Sequence, residues 1–190
     1  MTDWENRYLS GDTPWEKGAA HPALAAWLKR NSLTGRVLVP GCGSGHDVRL
    51  LASHGAEAVG LDLAPAAIAA ARKYSLAGNE SYEAGDFFQP PTAWTRAFDG
   101  LFEHTCFCAI DPSQREAYAR SAAGILRSGG RLLAIFYLDP GREEGPPFGC
   151  TTAELDSLFS PHFRLIEEQT SLPTYPGREG GEILRLLERK

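Results

Sequence analysis

Gly41, Gly43 and Gly45 fall at alternate positions between an apolar run, Val37-Leu38-Val39, and a stretch of helical character that starts near Ser44 and stops at Gly55. Glycine accepts positive φ and lets backbone approach a ligand or another strand closely. A short buried strand that turns through such a segment into a helix opens a βαβ unit. It commits the chain to a parallel sheet with helices over its faces. Amides at the helix start then face the crevice where folds of this kind hold nucleosides. Spacing narrows the ligand. A dinucleotide fingerprint requires glycine at 41, 43 and 46, whereas position 46 is His and the third glycine is at 45. The pattern disfavours NAD(P) and FAD and favours a ligand without a pyrophosphate; a purely structural turn is the alternative.

The rest of the chain repeats the alternation. Residues 21–30 place Leu24, Ala25, Trp27 and Leu28 at helical spacing. Strands are expected over 56–62, near 81–83, and over 98–103 and 131–138. Helices are expected over 65–76, 112–130 and 152–159, the first two opened by Pro65 and Pro112. Residues 163–169 and 182–188 read as two strands with no helix between them. The expected fold is therefore α/β, a doubly wound parallel sheet that ends in an antiparallel hairpin. Residues 1–20 differ in kind, with Trp4, Tyr8 and Trp15 set among Gly11, Asp12, Pro14 and Gly18 and little periodicity. No repeat or linker divides the chain, so one domain over 1–190 is expected.

Composition narrows the function. The 190 residues are 43% apolar, and 20 glycines come on top, so a core of ordinary size is available. Nineteen basic against 24 acidic residues leave −5 with no basic stripe, which argues against nucleic acid as a partner. The longest apolar run, Leu132 to Leu138, is far short of the ~20 residues needed to span a bilayer. The first residues show no basic region followed by an apolar stretch. Cys42, Cys106, Cys108 and Cys150 are irregularly spaced, which suits a reducing compartment. A cytoplasmic monomer acting on a small molecule or anion, with no membrane partner, is the expectation.

Asp62 closes the strand Val59-Gly60-Leu61-Asp62, about twenty residues after the first glycine. An acidic side chain there can take both hydroxyls of a ribose, or can cap the helix opened by Pro65. Gly85-Asp86-Phe87-Phe88 follows the third strand. Asp86 can accept from an adenine amine and Phe87 can stack on the ring; a turn with a buried Phe is the other reading. His104, Cys106 and Cys108 alternate on one strand face, but zinc usually takes four ligands and no second Cys/His pair lies at useful spacing, so no metal is expected. Small buried cysteines serve packing equally well. The Glu143-Glu144 pair reads as a solvated loop.

The stretch Val39-Pro40-Gly41-Cys42-Gly43-x-Gly45-His46-Asp47 resembles the motif of the thiopurine S-methyltransferase family, and within it the halide/thiocyanate and thiol methyltransferases. Trp4-Glu5-x-x-Tyr8 with Thr13-Pro14-Trp15, Phe107-Cys108-Ala109-Ile110-x-Pro112 and Gly145-Pro146-Pro147-Phe148 support it in the family's order. The resemblance implies a class I methyltransferase (Rossmann-like) sheet of seven strands, strand 7 antiparallel. It also implies S-adenosyl-L-methionine as methyl donor and S-adenosyl-L-homocysteine as product. Trp4, Tyr8 and Trp15 would then form an N-terminal lid. Gly41 and Gly43 would meet the cofactor by backbone, Asp62 would hold its ribose, and Asp86 and Phe87 its adenine. His104 falls where relatives place Arg or Tyr against the cofactor, and Tyr8 where plant relatives have Trp.

The chemistry implied is in-line displacement on a sulfonium methyl by halide, thiocyanate, bisulfide or thiol. An anionic nucleophile needs approach geometry and a dry pocket rather than a base. An aromatic lid excludes water and can stack on the cation. Tyr137, at the end of the fifth strand, offers a hydroxyl to the nucleophile, or simply holds the following loop. A larger nitrogen, oxygen or metalloid acceptor is the rival reading, and a non-catalytic S-adenosylmethionine-binding module is another.

Overall fold

The computed structural model describes residues 2–141 and 144–190. Two short helices, α1 (Trp4–Ser10) and α2 (Pro22–Leu28), precede β1 (Gly35–Pro40). The chain continues through α3 (His46–Ser53), β2 (Ala56–Asp62), α4 (Pro65–Ala71), β3 (Asn79–Ala84) and β4 (Phe98–His104). It closes with α5 (Arg115–Ile125), β5 (Leu126–Tyr137), α6 (Thr152–Phe159), β6 (Phe163–Gln169) and β7 (Glu182–Arg189). The strands form one seven-stranded sheet in the order β3-β2-β1-β4-β5-β7-β6. Pairing is parallel from β3 to β5, while β7 lies antiparallel between β5 and β6. The expected hairpin is there, with its second strand turned inward to the sheet.

Strand order reverses direction at β1 and β4, so the connections leaving them part at their carboxyl ends and open a crevice there. The registers bring Asp62, His104 and Tyr137 to this same edge. Pro40 pairs with Leu61, His104 with Ile135, and Tyr137 with Glu182 at the start of β7. Alternation along the strands divides the core in two. Leu38, Leu132, Phe136 and Ile183 pack with Tyr118 and Phe159 on one face. Val37, Val39, Leu133, Ile135 and Leu184 pack with Leu24, Trp27 and Leu51 on the other. Among the described residues no helix is long and apolar enough to cross a membrane.

Three boundaries differ from the sequence expectation. The aperiodic arm contains α1, none of whose residues is buried; its ends are set by local bonds instead. Asp3 accepts from the Asn6 amide, and left-handed Gly11 returns its amide to Arg7 and Tyr8 carbonyls. Helix α4 stops at Ala71 rather than near 76; residues 72–79 are exposed, and Tyr74 turns back onto the His46 ring and the Arg49 guanidinium. Gly129-Gly130 does not end α5. The pairs Phe98↔Leu126 and Gly100↔Arg131 bracket a bulge in β5 that contains both glycines.

Candidate active site

All three glycines of the turn have positive φ: +60° at Gly41, +54° at Gly43 and +75° at Gly45. Each is closely covered. A Cβ at Gly45 would meet the Tyr82 ring at 2.5 Å, and one at Gly41 would meet Cys106 Cβ, in the turn after β4, at 2.8 Å. At Gly43 it would lie 2.8 Å from the Tyr8 hydroxyl and 2.9 Å from Glu16 Oε1. The N-terminal arm thus lies over the turn. Asp62 joins the two elements beneath it, accepting from Gly43 N at 2.9 Å through Oδ2 and from Ala64 N at 2.9 Å through Oδ1. Burial pushes its carboxyl pKa up, in spite of those two bonds. Asp62 thus ties the turn ahead of α4, while α4 itself, with Ala64 at its N-cap, has no side-chain cap.

The arm is fastened by acidic side chains on two helix starts. Glu5 accepts from Ala66 N at 2.9 Å in the first turn of α4. Glu16 accepts from the Ser44 hydroxyl and from Ser44 N at 3.4 Å, ahead of α3, where negative charge suits the helix dipole. Trp15 packs edge-on to Trp4 and Tyr8, with ring centroids 5.3 and 5.7 Å away, and donates to the Tyr8 hydroxyl at 2.9 Å. Its ring face receives the Arg7 guanidinium at 4.4 Å. Burial and the nearby Asp62 charge raise the Tyr8 pKa. Trp4, Tyr8, Trp15, Gly43 and Asp62 are thus brought together.

A second constellation adjoins it. His104 Nδ1 lies 2.8 Å from Asp47 Oδ2, and Asp47 Oδ1 accepts from His21 N at 2.8 Å. Burial opposes the Asp47 carboxylate, but the His104 ring and those bonds bring its pKa below the usual value. His21 is fully buried; its Nδ1 accepts from Ala23 N at 3.1 Å and its Nε2 faces Glu182 Oε2 at 3.0 Å. Burial lowers the His21 pKa. Glu182, disfavoured by burial, is held ionised by His21 and by Arg178, whose Nη1 lies at 2.9 Å. Tyr175 packs on both imidazoles and donates to Ala19 O at 2.7 Å.

His21, His104 and Glu182 place ligand-type atoms within 4.8 Å of one another, whereas the sequence had suggested His104, Cys106 and Cys108. Proton placement opposes a cation at the observed cluster. Because His21 Nδ1 accepts from an amide, the neutral ring carries its proton on Nε2, which donates to Glu182 rather than ligating.

Asp86 and Phe87 follow Gly85, whose amide donates to Asp62 O at 2.8 Å. Both Asp86 oxygens are engaged in its own turn, by Phe88 N at 2.8 Å and Gln89 Nε2 at 3.1 Å. Phe87 is buried, 4.8 Å from the Tyr118 ring, which is the buried-Phe alternative. Tyr137 is half-buried at the carboxyl edge with the Arg178 guanidinium 4.8 Å over its ring. Glu103, one residue before His104, accepts from Phe107 N at 2.7 Å and from the Tyr118 hydroxyl. Burial pushes its pKa up to about 7. Glu144 is exposed, and Glu143 lies outside the described residues. Surface depressions of about 370 and 350 Å³ lie elsewhere, beside Gly35 and Asn79 and beside Trp27 and Gln169; neither gathers groups suited to chemistry.

Sequence reading missed His21, Asp47, Glu182, Tyr175 and Arg178. Asp47 carried a signal, standing two residues after the glycine turn. Glu182 and Arg185 carried another, as charges bounding and interrupting the apolar stretch 183–187 of β7.

A family model described as thiopurine S-methyltransferase matches residues 1–181. A probable thiol methyltransferase 2 of Arabidopsis thaliana is 35% identical over 165 residues, covering 83% of this chain and 71% of the relative. Thiocyanate methyltransferase 1 of Brassica oleracea is 34% identical over 187 residues, covering 93% and 81%. Among solved structures, the 1,6-didemethyltoxoflavin-N1-methyltransferase of Burkholderia thailandensis, crystallised with S-adenosylhomocysteine, superposes with a TM-score of 0.76. It is 21% identical, and the match covers 99% of this chain and 86% of that one.

Proposed function

The chain belongs to the thiopurine S-methyltransferase family and is an S-adenosylmethionine-dependent methyltransferase, and we propose that its acceptor is a small soft nucleophile: a thiol, bisulfide, thiocyanate or halide. The observation that carries this reading is the closed carboxyl edge, where the glycine turn and Asp62 lie under an aromatic arm. The residues present suit the donor. Asp62 offers a carboxylate to a ribose, and Gly43 presents bare backbone beneath Tyr8 and Glu16. Trp15 already takes a cation on its face, as a sulfonium requires. The donor, when bound, supplies a methyl group already activated for displacement.

The chain's own residues then have three tasks in this reading. Trp4, Tyr8 and Trp15 exclude water, and a dry site raises the reactivity of a desolvated anion. Gly41, Gly43, Asp62 and Asp86 hold the nucleoside and its amino-acid tail. His104 and Tyr137, on adjacent strand ends, face the acceptor. Weakly hydrated anions are favoured because little hydration must be stripped from them. The thiol- and thiocyanate-methylating names of the plant relatives support the same class. The four free cysteines support a reducing compartment. The test is an acceptor panel of iodide, bromide, chloride, thiocyanate, bisulfide and thiols, followed by S-adenosylhomocysteine release. Iodide and the sulfur nucleophiles should lead chloride. Turnover of a bulky amine with no soft-anion activity would overturn the reading.

A further inference from the structure

We propose that His104 Nε2 is a general base that deprotonates neutral S–H acceptors in the site, with Asp47 as its positioning residue. The inference rests on the soft-nucleophile reading and deepens it. His104 is the last residue of β4, at the switch point, and its side chain is only 10% exposed. Its Nδ1 lies 2.8 Å from an Asp47 carboxylate whose pKa is held low, so Nδ1 carries the ring proton. The other nitrogen, Nε2, is buried and has no hydrogen-bond partner among the described residues. An unpartnered basic nitrogen at such a depth is costly for stability alone. A carboxylate behind an imidazole fixes the tautomer and favours the imidazolium once a proton arrives.

The surroundings suit that role. Asp47 from α3, His21 ahead of α2, Glu182 from β7 and Tyr175 from the β6–β7 connection face the ring, with Glu103 beside it on β4 and Arg178 behind Glu182 and Tyr175. His21 is engaged at both nitrogens, so of these two packed imidazoles His104 is the one able to accept. The acceptor's S–H bond breaks with its electron pair left on sulfur, and the proton goes to Nε2. That pair forms the new bond to the methyl carbon, while the bond from carbon to the sulfonium breaks and its pair returns to the donor sulfur. The imidazolium, paired with Asp47, releases its proton to water as product leaves.

Thiocyanate arrives without a proton and is the internal control. For a thiol of pKa near 8.5, only about 3% is thiolate at pH 7. Wild-type kcat/KM for that thiol should stay nearly level from pH 7 to 8, whereas His104→Gln should follow the thiolate fraction, rising about eightfold over that unit. At pH 7 the variant's thiol-to-thiocyanate activity ratio should fall roughly 10- to 30-fold, with S-adenosylhomocysteine affinity by calorimetry within threefold. Nitrogen-15 NMR of the wild-type protein at pH 7.5 should show the His104 proton on Nδ1, and Asp47→Asn should disturb that tautomer. Three results would overturn the proposal: a wild-type thiol profile rising about eightfold from pH 7 to 8, the opposite tautomer, or equal losses on both acceptors in His104→Gln. Cofactor binding without turnover of any soft nucleophile would instead overturn the reading beneath it.

Discussion

Replacing Glu103 by Gln should flatten a pH dependence of folding that this one carboxyl creates. Its side chain is buried at the end of β4, accepting from Phe107 N and the Tyr118 hydroxyl, and its pKa rises from 4.5 to about 7. Between those values the folded protein keeps a proton that the unfolded chain gives up. The stabilisation is complete below pH 4.5 and is lost as pH climbs through 7. At 1.36 kcal/mol per unit the loss is about 3 kcal/mol. Gln mimics the protonated acid, with an amide for Tyr118 and a carbonyl for the Phe107 amide, and cannot ionise. Urea denaturation of both proteins from pH 4.5 to 8 should show the variant gaining about 3 kcal/mol on the wild type across that span. A stability difference that stays constant with pH would refute the buried-acid argument.

Asp62→Ala should weaken S-adenosylhomocysteine by about 1.5–3 kcal/mol, roughly 10- to 150-fold, the worth of charge-assisted hydrogen bonds; unchanged affinity by calorimetry would remove Asp62 from the ribose. Amide exchange in residues 2–16 should slow when S-adenosylhomocysteine is added, because a covering segment held by Glu5 and Glu16 opens more readily than the sheet. Equal protection in both states would make the arm fixed structure. Tyr137→Phe should lower turnover while cofactor affinity holds; a variant as active as wild type would leave the ring only its contact with Arg178.

The sheet was legible because its strands are short, apolar and separated by strong punctuation. Val37-Leu38-Val39, the glycine turn and Pro65 each mark an element by local chemistry alone. Glu182 was not legible as a partner of His21, since 161 positions separate them and only the antiparallel placement of β7 joins them. Helix α1 escaped the periodicity argument because its stability comes from Asp3 and Gly11 rather than from a buried stripe. Phe87 could stack on a ligand or enter the core, and local sequence does not distinguish these. Tyr118, on the distant α5, fills the space that turns it inward.

The inward position of β7 also orders events during synthesis. The ribosome delivers β5 and β6 before the strand that lies between them, so in the emerging chain β5 presents an uncovered edge and β6 has no strand to pair with. Glu182 and Arg178 are missing from the site at that stage, and the buried His21 ring faces no carboxylate. Nascent chains paused before residue 182 should therefore be the species most prone to aggregate and to recruit chaperones. Closure of the sheet and completion of the imidazole network are one late step.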